Sequence, residues 1–92
     1  MIKVKNLTSP RSGLPAANQF VIYSTIHKNR IFQSYETVIA KYNFGGKLIL
    51  DRNCLNYSRT TSKYLYQFTG KNRTEIKFMI DNGLVEIRDL NI

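Results

Sequence analysis

The sequence contains no tryptophan, one cysteine and two prolines among 92 residues. The single cysteine, Cys54, excludes an internal disulfide and a metal site built from several cysteines. The longest purely apolar runs have four residues, as at 20–23, so no segment approaches the roughly twenty apolar residues of a membrane span. Residues 1–5 lack the apolar core of a signal peptide. We therefore expect no membrane association and a cytoplasmic location.

Acidic residues are scarce as well, with six against fourteen lysines and arginines, which gives a formal net charge of +8. Residues 1–35 and 52–74 contain no acid, whereas four of the six acids lie in the last eighteen residues. Such an asymmetric field attracts polyanions or acidic protein surfaces. A solvated basic surface that only keeps a small protein soluble is the alternative interpretation.

Alternation and β-branched residues predict strands over residues 2–7, 20–26, 30–35, 47–51 and 84–90. Residues 36–42 fit either a strand or one helical turn, and we favour the strand. Turns are expected between these segments, with His27 at the tip of the first hairpin. A loop rich in proline, serine and glycine separates the first two strands.

The hydrophobic period changes after residue 59 and predicts two helices. Tyr64, Leu65 and Phe68 share one face of the first helix. Thr60 or Thr61 is expected to cap its start, and glycine at position 70 follows its end. The second helix would begin at a Thr74 cap, present Ile76, Met79 and Ile80 on one face, and stop at Gly83.

These elements predict an α+β fold, with one domain over residues 1–92. Its sheet would be small and mostly antiparallel, and the two short helices, near the C-terminal half, would pack on one of its faces. The core is expected to contain Phe20, Ile22, Phe68 and Met79. Tyr66 should point away from the face that carries Phe68, because two helical positions correspond to about 200° of rotation.

Residues 57–63 form the strongest candidate site, since they place cations and hydroxyls just before a helix. Free backbone N–H groups at a helix N-terminus bind anions. The loop at residues 9–13 offers a second set of donors, Ser9, Arg11 and Ser12. An ordinary helix cap and an ordinary surface loop are the alternatives. The candidate binding residues are Arg11, Arg52, Tyr57, Arg59, Thr60, Lys63, Tyr66, Lys71 and Arg73.

Groups for catalysis are few. His27 is the sole histidine, and Cys54 has no base near it in the sequence. A metal site needs three or four suitable ligands, and the acids are scattered. We therefore expect a protein that is not an enzyme and that holds neither a metal nor a cofactor.

Four segments together resemble a family of small uncharacterised proteins from bacteriophages and mobile elements. They are NLTSPRSG at 6–13, ANQF at 17–20, FQSY at 32–35 and YSRTTSKY at 57–64. The resemblance covers roughly residues 4–70 and implies a genomic setting, inside a bacterial host cell, rather than a reaction. Small proteins of such elements commonly coat nucleic acid, regulate transcription or block host defence nucleases, as anti-CRISPR proteins do.

Two functions follow as expectations. In the first, a basic face containing tyrosine engages nucleic acid or a nucleoprotein complex, or an acidic protein surface, and inhibits a host defence nuclease. In the second, the protein is a nucleic-acid-binding accessory or regulatory factor with no inhibitory role. Cations would contact phosphates, and Tyr57 or Tyr66 would stack on bases. The sequence leaves the oligomeric state open, a homo-oligomer included.

Overall fold

The computed structural model describes residues 1–91 as a six-stranded sheet with two helices. The elements in chain order are β1 (Ile2–Thr8), β2 (Pro15–Ser24), β3 (Asn29–Ser34), β4 (Thr37–Tyr42), β5 (Leu48–Asp51), α1 (Arg59–Thr69), α2 (Arg73–Asp81) and β6 (Glu86–Arg88). The sheet order follows the chain from β1 to β6. The predicted α+β fold, with both helices in the C-terminal half on one face, is confirmed. No helix within residues 1–91 has the length and apolar character to cross a membrane.

The first five strands form an antiparallel meander, and the last pair is parallel. Parallel neighbours need a long crossover, and α1 and α2 supply it between β5 and β6. Residues 37–42 form strand β4, as favoured. The predicted strand at 84–90 shortens to β6, and the strand expected from residue 20 begins instead at Pro15.

Both helix starts differ from the predicted caps. The N-cap of α1 is Ser58, whose Oγ accepts a hydrogen bond from the Thr61 backbone N–H at 3.3 Å. Thr61 is buried instead, with its Oγ1 3.0 Å from Ser34 Oγ beneath the helix. The N-cap of α2 is Asn72, which forms a capping box with Glu75, so the Thr74 cap was also wrong. At each start two or more side chains able to cap a helix lie within three residues of one another, Ser58 with Thr60 and Thr61, and Asn72 with Thr74, so the sequence did not distinguish them.

The core lies between the helices and one face of the sheet. Val21, Phe32, Ala40 and Leu50 stand opposite one another on neighbouring strands and are all buried. Phe68 of α1 stacks on Phe32 with ring centroids 5.7 Å apart. The predicted core position of Phe68 is therefore confirmed.

The prediction that Phe20 and Ile22 belong to the core was wrong. They alternate with buried Val21, so their side chains point to the face of the sheet away from the helices, where they are only half-buried. Residues 20–23 are all apolar, so no alternation of polar and apolar residues indicated which side chains face inward. Met79 is half-buried and packs against the edge of the core.

Replacing Phe68 by alanine should lower the free energy of unfolding by about 3–5 kcal/mol, because the ring is buried against Phe32. Phe44→Ala is the matched control, since that ring is 76% exposed and should contribute within about 0.5 kcal/mol. Urea denaturation of the two variants measures both values. Equal losses would show that Phe68 does not hold α1 on the sheet.

Candidate binding cleft

The two segments singled out in the sequence meet at a cavity of about 1000 Å³. The loop between β1 and β2 forms one wall, and the start of α1 with the residues before it forms the other. We call this cavity the basic cleft. Its lining residues are Ser9, Pro10, Arg11, Tyr57, Arg59, Thr60, Ser62, Lys63, Tyr66 and Arg73.

Seven of the nine candidate binding residues line the basic cleft, and two do not. Arg52 follows β5, where its backbone N–H donates to the Arg88 carbonyl at 2.9 Å and its side chain is exposed. Lys71 lies in the connection between the helices and lines a smaller, mainly apolar hollow beside Phe78 and Leu84. Both fall in the acid-free stretch, but Arg52 lies in the turn directly after β5 and Lys71 follows Gly70, the C-cap at the far end of α1 from Arg59.

Gln67 fastens the β1–β2 loop to α1. Its Oε1 accepts from the Thr8 N–H at 3.2 Å, and its Nε2 donates to the Thr8 carbonyl at 2.8 Å. The loop is further closed by a hydrogen bond from the Ser9 N–H to the Leu14 carbonyl at 2.9 Å. Gln67 was not a candidate residue. No signal in the sequence could reveal a partner 59 positions away.

Asp51 holds the other wall of the cleft through Tyr57. The Tyr57 hydroxyl donates to Asp51 Oδ2 at 2.8 Å, and the Asn53 N–H donates to the same oxygen. The Leu90 N–H and the Asn91 side chain donate to Oδ1. The Tyr57 hydroxyl is thus turned inward, and the residue contributes its ring to the cleft.

The pKa of Asp51 reflects this network. Burial alone raises the pKa of the carboxyl, but the hydrogen bonds from Leu90, Tyr57, Asn53 and Asn91 outweigh it and hold the pKa below its ordinary value. Burial and the adjacent carboxylate raise the pKa of Tyr57 to about 12. Asp51 is therefore ionised and Tyr57 protonated at neutral pH.

No acid neutralises the cations of the cleft. Within residues 1–91 the only ion pair joins Arg88 and Glu86, outside the cleft. Arg73 donates to the Leu55 carbonyl at 3.2 Å, and the Lys63 ammonium lies 5.1 Å from the centroid of the Tyr64 ring. The first turn of α1 also lacks acidic residues. Four side-chain cations and a helix N-terminus thus act on one cavity.

The residues considered for catalysis lie elsewhere. His27 is exposed in the turn between β2 and β3. Cys54 is buried, and burial together with the charge of Asp51 raises the pKa of its thiol to about 11, so it is protonated at neutral pH. In the described part of the chain, no three His, Cys, Asp or Glu side chains are close enough to share a metal ion.

A model of a protein family of unknown function, DUF8033, matches residues 2–82. The chain belongs to DUF8033. No curated protein and no solved structure matches it. The matched region contains every residue that lines the basic cleft, so the cleft lies within the part that defines the DUF8033 family. The family's description carries no activity.

Gln67→Ala should free the β1–β2 loop while leaving α1 folded, because both hydrogen bonds of the side chain go to Thr8. If these hydrogen bonds stabilise the closed loop by about 1 kcal/mol in total, their loss should accelerate amide hydrogen exchange at Thr8 by about fivefold. Gln33→Ala is the control, since that side chain bonds only the Tyr35 carbonyl. Unchanged exchange at Thr8 in Gln67→Ala would mean that other contacts hold the loop.

Asp51→Asn should reduce the amount by which the protein's thermal stability falls between neutral and acidic pH. Because the folded-state pKa of Asp51 lies below its ordinary value of 3.8, the stabilisation is fully present above that pH and is lost as the pH falls through the folded-state value. Thermal unfolding between neutral and strongly acidic pH should show a smaller decline in the variant. Asp81→Asn, at an exposed carboxylate, should retain the wild-type decline. Equal slopes in all three proteins would contradict the network.

Proposed function

We propose that this DUF8033 protein is a non-enzymatic nucleic-acid-binding protein that holds a phosphate backbone in the basic cleft. The observation that carries the proposal is the convergence of Arg11, Arg59, Lys63 and Arg73 on one cavity that no acid lines. Arginine and lysine gain affinity at phosphates by releasing condensed counterions, so such a cluster binds nucleic acid more strongly than isolated surface cations.

The aromatic side chains of the cleft suit bases that are not paired. Tyr66 is half-buried, with one side against the core, and its ring lines the cavity together with that of Tyr57. A base can stack on such a ring whatever its identity, at about 1–3 kcal/mol per base. A concave site with two rings and four cations therefore favours a single strand over a duplex.

The hydroxyl groups of the cleft add neutral donors. Ser9, Thr60 and Ser62 line the cavity beside the cations. Hydroxyls and backbone N–H groups contact phosphate oxygens without reading sequence. The proposed binding is accordingly tolerant of sequence and sensitive to salt.

The inhibition of a host defence nuclease stays a prediction from the resemblance to phage and mobile-element proteins, as does a location in the bacterial host cytoplasm. A nucleoprotein target would present phosphates to the same cleft, or an acidic protein surface would present carboxylates. Free nucleic acid binding distinguishes these, since an inhibitor of a protein surface need not bind isolated strands.

The test compares two double variants. The cleft variant carries Arg59→Glu and Lys63→Glu together, and the control variant carries Lys47→Glu and Lys77→Glu together. Both pairs are exposed and change the net charge equally, but only the first lies in the cleft. Fluorescence anisotropy with labelled single-stranded DNA, single-stranded RNA and duplex DNA measures affinity. With four phosphate contacts, wild-type affinity for a single strand should fall about 50-fold between 50 and 200 mM salt.

The cleft variant should lose about tenfold or more in affinity for a single strand. It should also reduce the slope of log K against log salt by about 1.4, since each lost phosphate contact on a single strand lowers it by about 0.7. The control variant should keep most of the affinity. Equal losses in both variants would show diffuse attraction without a site. Absence of binding to all three probes at low salt would overturn the proposal and leave the protein-surface alternative.

A further inference from the structure

The face of the sheet away from the helices is apolar and carries no second layer. Strand alternation places one set of side chains there, which we call the open sheet face: Ile2, Val4, Phe20, Ile22, Ile31, Val38 and Ile49. Ile2 and Val4 are 70% and 60% exposed, Ile49 is 3% exposed and the other four are half-buried. None of the seven belongs to the core cluster under the helices or packs against it. A sheet face of this composition is normally buried against another layer.

The accessible charges on this face nearly balance. The paired registers put Lys41, Glu86 and Arg88 on it, two cations and one acid, whereas Asp51 is 1% exposed and is bound by other residues of the chain. The whole chain carries +8, and the opposite side presents Lys3, Lys5 and the basic cleft. Two copies of the protein therefore repel each other less through the open sheet face than through their strongly basic surfaces.

The size of the face fits a small interface. Six strands spaced by about 4.8 Å and roughly five residues long span close to 500 Å² on each copy, or about 1000 Å² in total. That area lies at the lower limit for a specific protein contact. A contact of this size predicts a reversible association whose extent depends on concentration rather than a permanent one.

We propose that the open sheet face is the interface of a symmetric homodimer, in which two sheets pack face to face and the helices lie outermost. The occupant is a second copy, because an isologous contact sets the same apolar patch, whose accessible charges nearly balance, against itself. The two sheets would be about 10 Å apart, as in a β-sandwich. The basic cleft is built by α1 and the β1–β2 loop, so it stays open in both copies, and this inference does not depend on what the cleft binds.

Sedimentation velocity on nucleic-acid-free protein tests the proposal, with Val4→Lys and Ile26→Lys as a matched pair. Both residues are mainly exposed and acquire the same charge, but Ile26 lies in the β2–β3 turn rather than on the open sheet face. Over about 10 μM to about 1 mM, wild type and Ile26→Lys should shift towards doubled mass. Val4→Lys should remain monomeric, with an unchanged melting temperature.

The salt dependence provides a second readout. Screening of the net charge should strengthen a contact through the nearly neutral face, so the dimer fraction should rise with salt, opposite to binding of nucleic acid in the cleft. Wild-type protein that remains monomeric across the series would overturn the proposal. A Val4→Lys variant that dimerises like wild type, or an Ile26→Lys variant that becomes monomeric, would also overturn it.

Discussion

The stacking of Phe68 on Phe32 sets the position of α1 on the sheet, and the geometry of the cleft depends on that position. With the helix in place, Thr61 reaches Ser34 and Gln67 reaches Thr8. The first contact fixes the rotation of the helix, and the second fixes the loop across from it. A cavity lined by two distant segments is thereby held open by the same core that stabilises the fold.

Most strands, both helices and the two segments that form the cleft could be predicted from the sequence. Alternation identified the strands, helical spacing identified the buried face of α1, and the missing acids marked residues 52–74. It could not show that the loop at 9–13 would meet residues 57–63, because Gln67 and Thr8 join them only in three dimensions. For the same reason Arg52 was grouped with the cleft residues that follow it in the sequence, although it does not line the cleft.

The errors arose where neighbouring residues have the same chemistry. Four consecutive apolar residues, 20–23, left the inward face of β2 undetermined, and Phe20 and Ile22 were assigned to the wrong side. Ser58, Thr60 and Thr61, three hydroxyl residues within four positions, left the cap of α1 undetermined in the same way. In the folded protein the cleft cations lie on the helix side of the sheet, and the accessible charges on the opposite face nearly balance.

Asp51 links the cleft to residues far along the chain. Its Oδ2 holds Tyr57, while its Oδ1 is bound by Leu90 and Asn91, and Asn91 also forms two hydrogen bonds with the Val38 backbone. During synthesis the hairpins from β1 to β5 can pair as they emerge, since their contacts are local. The partners of Asp51 Oδ1 are translated only after both helices. A nascent chain halted before residue 90 would therefore carry a folded meander whose tyrosine anchor is incomplete.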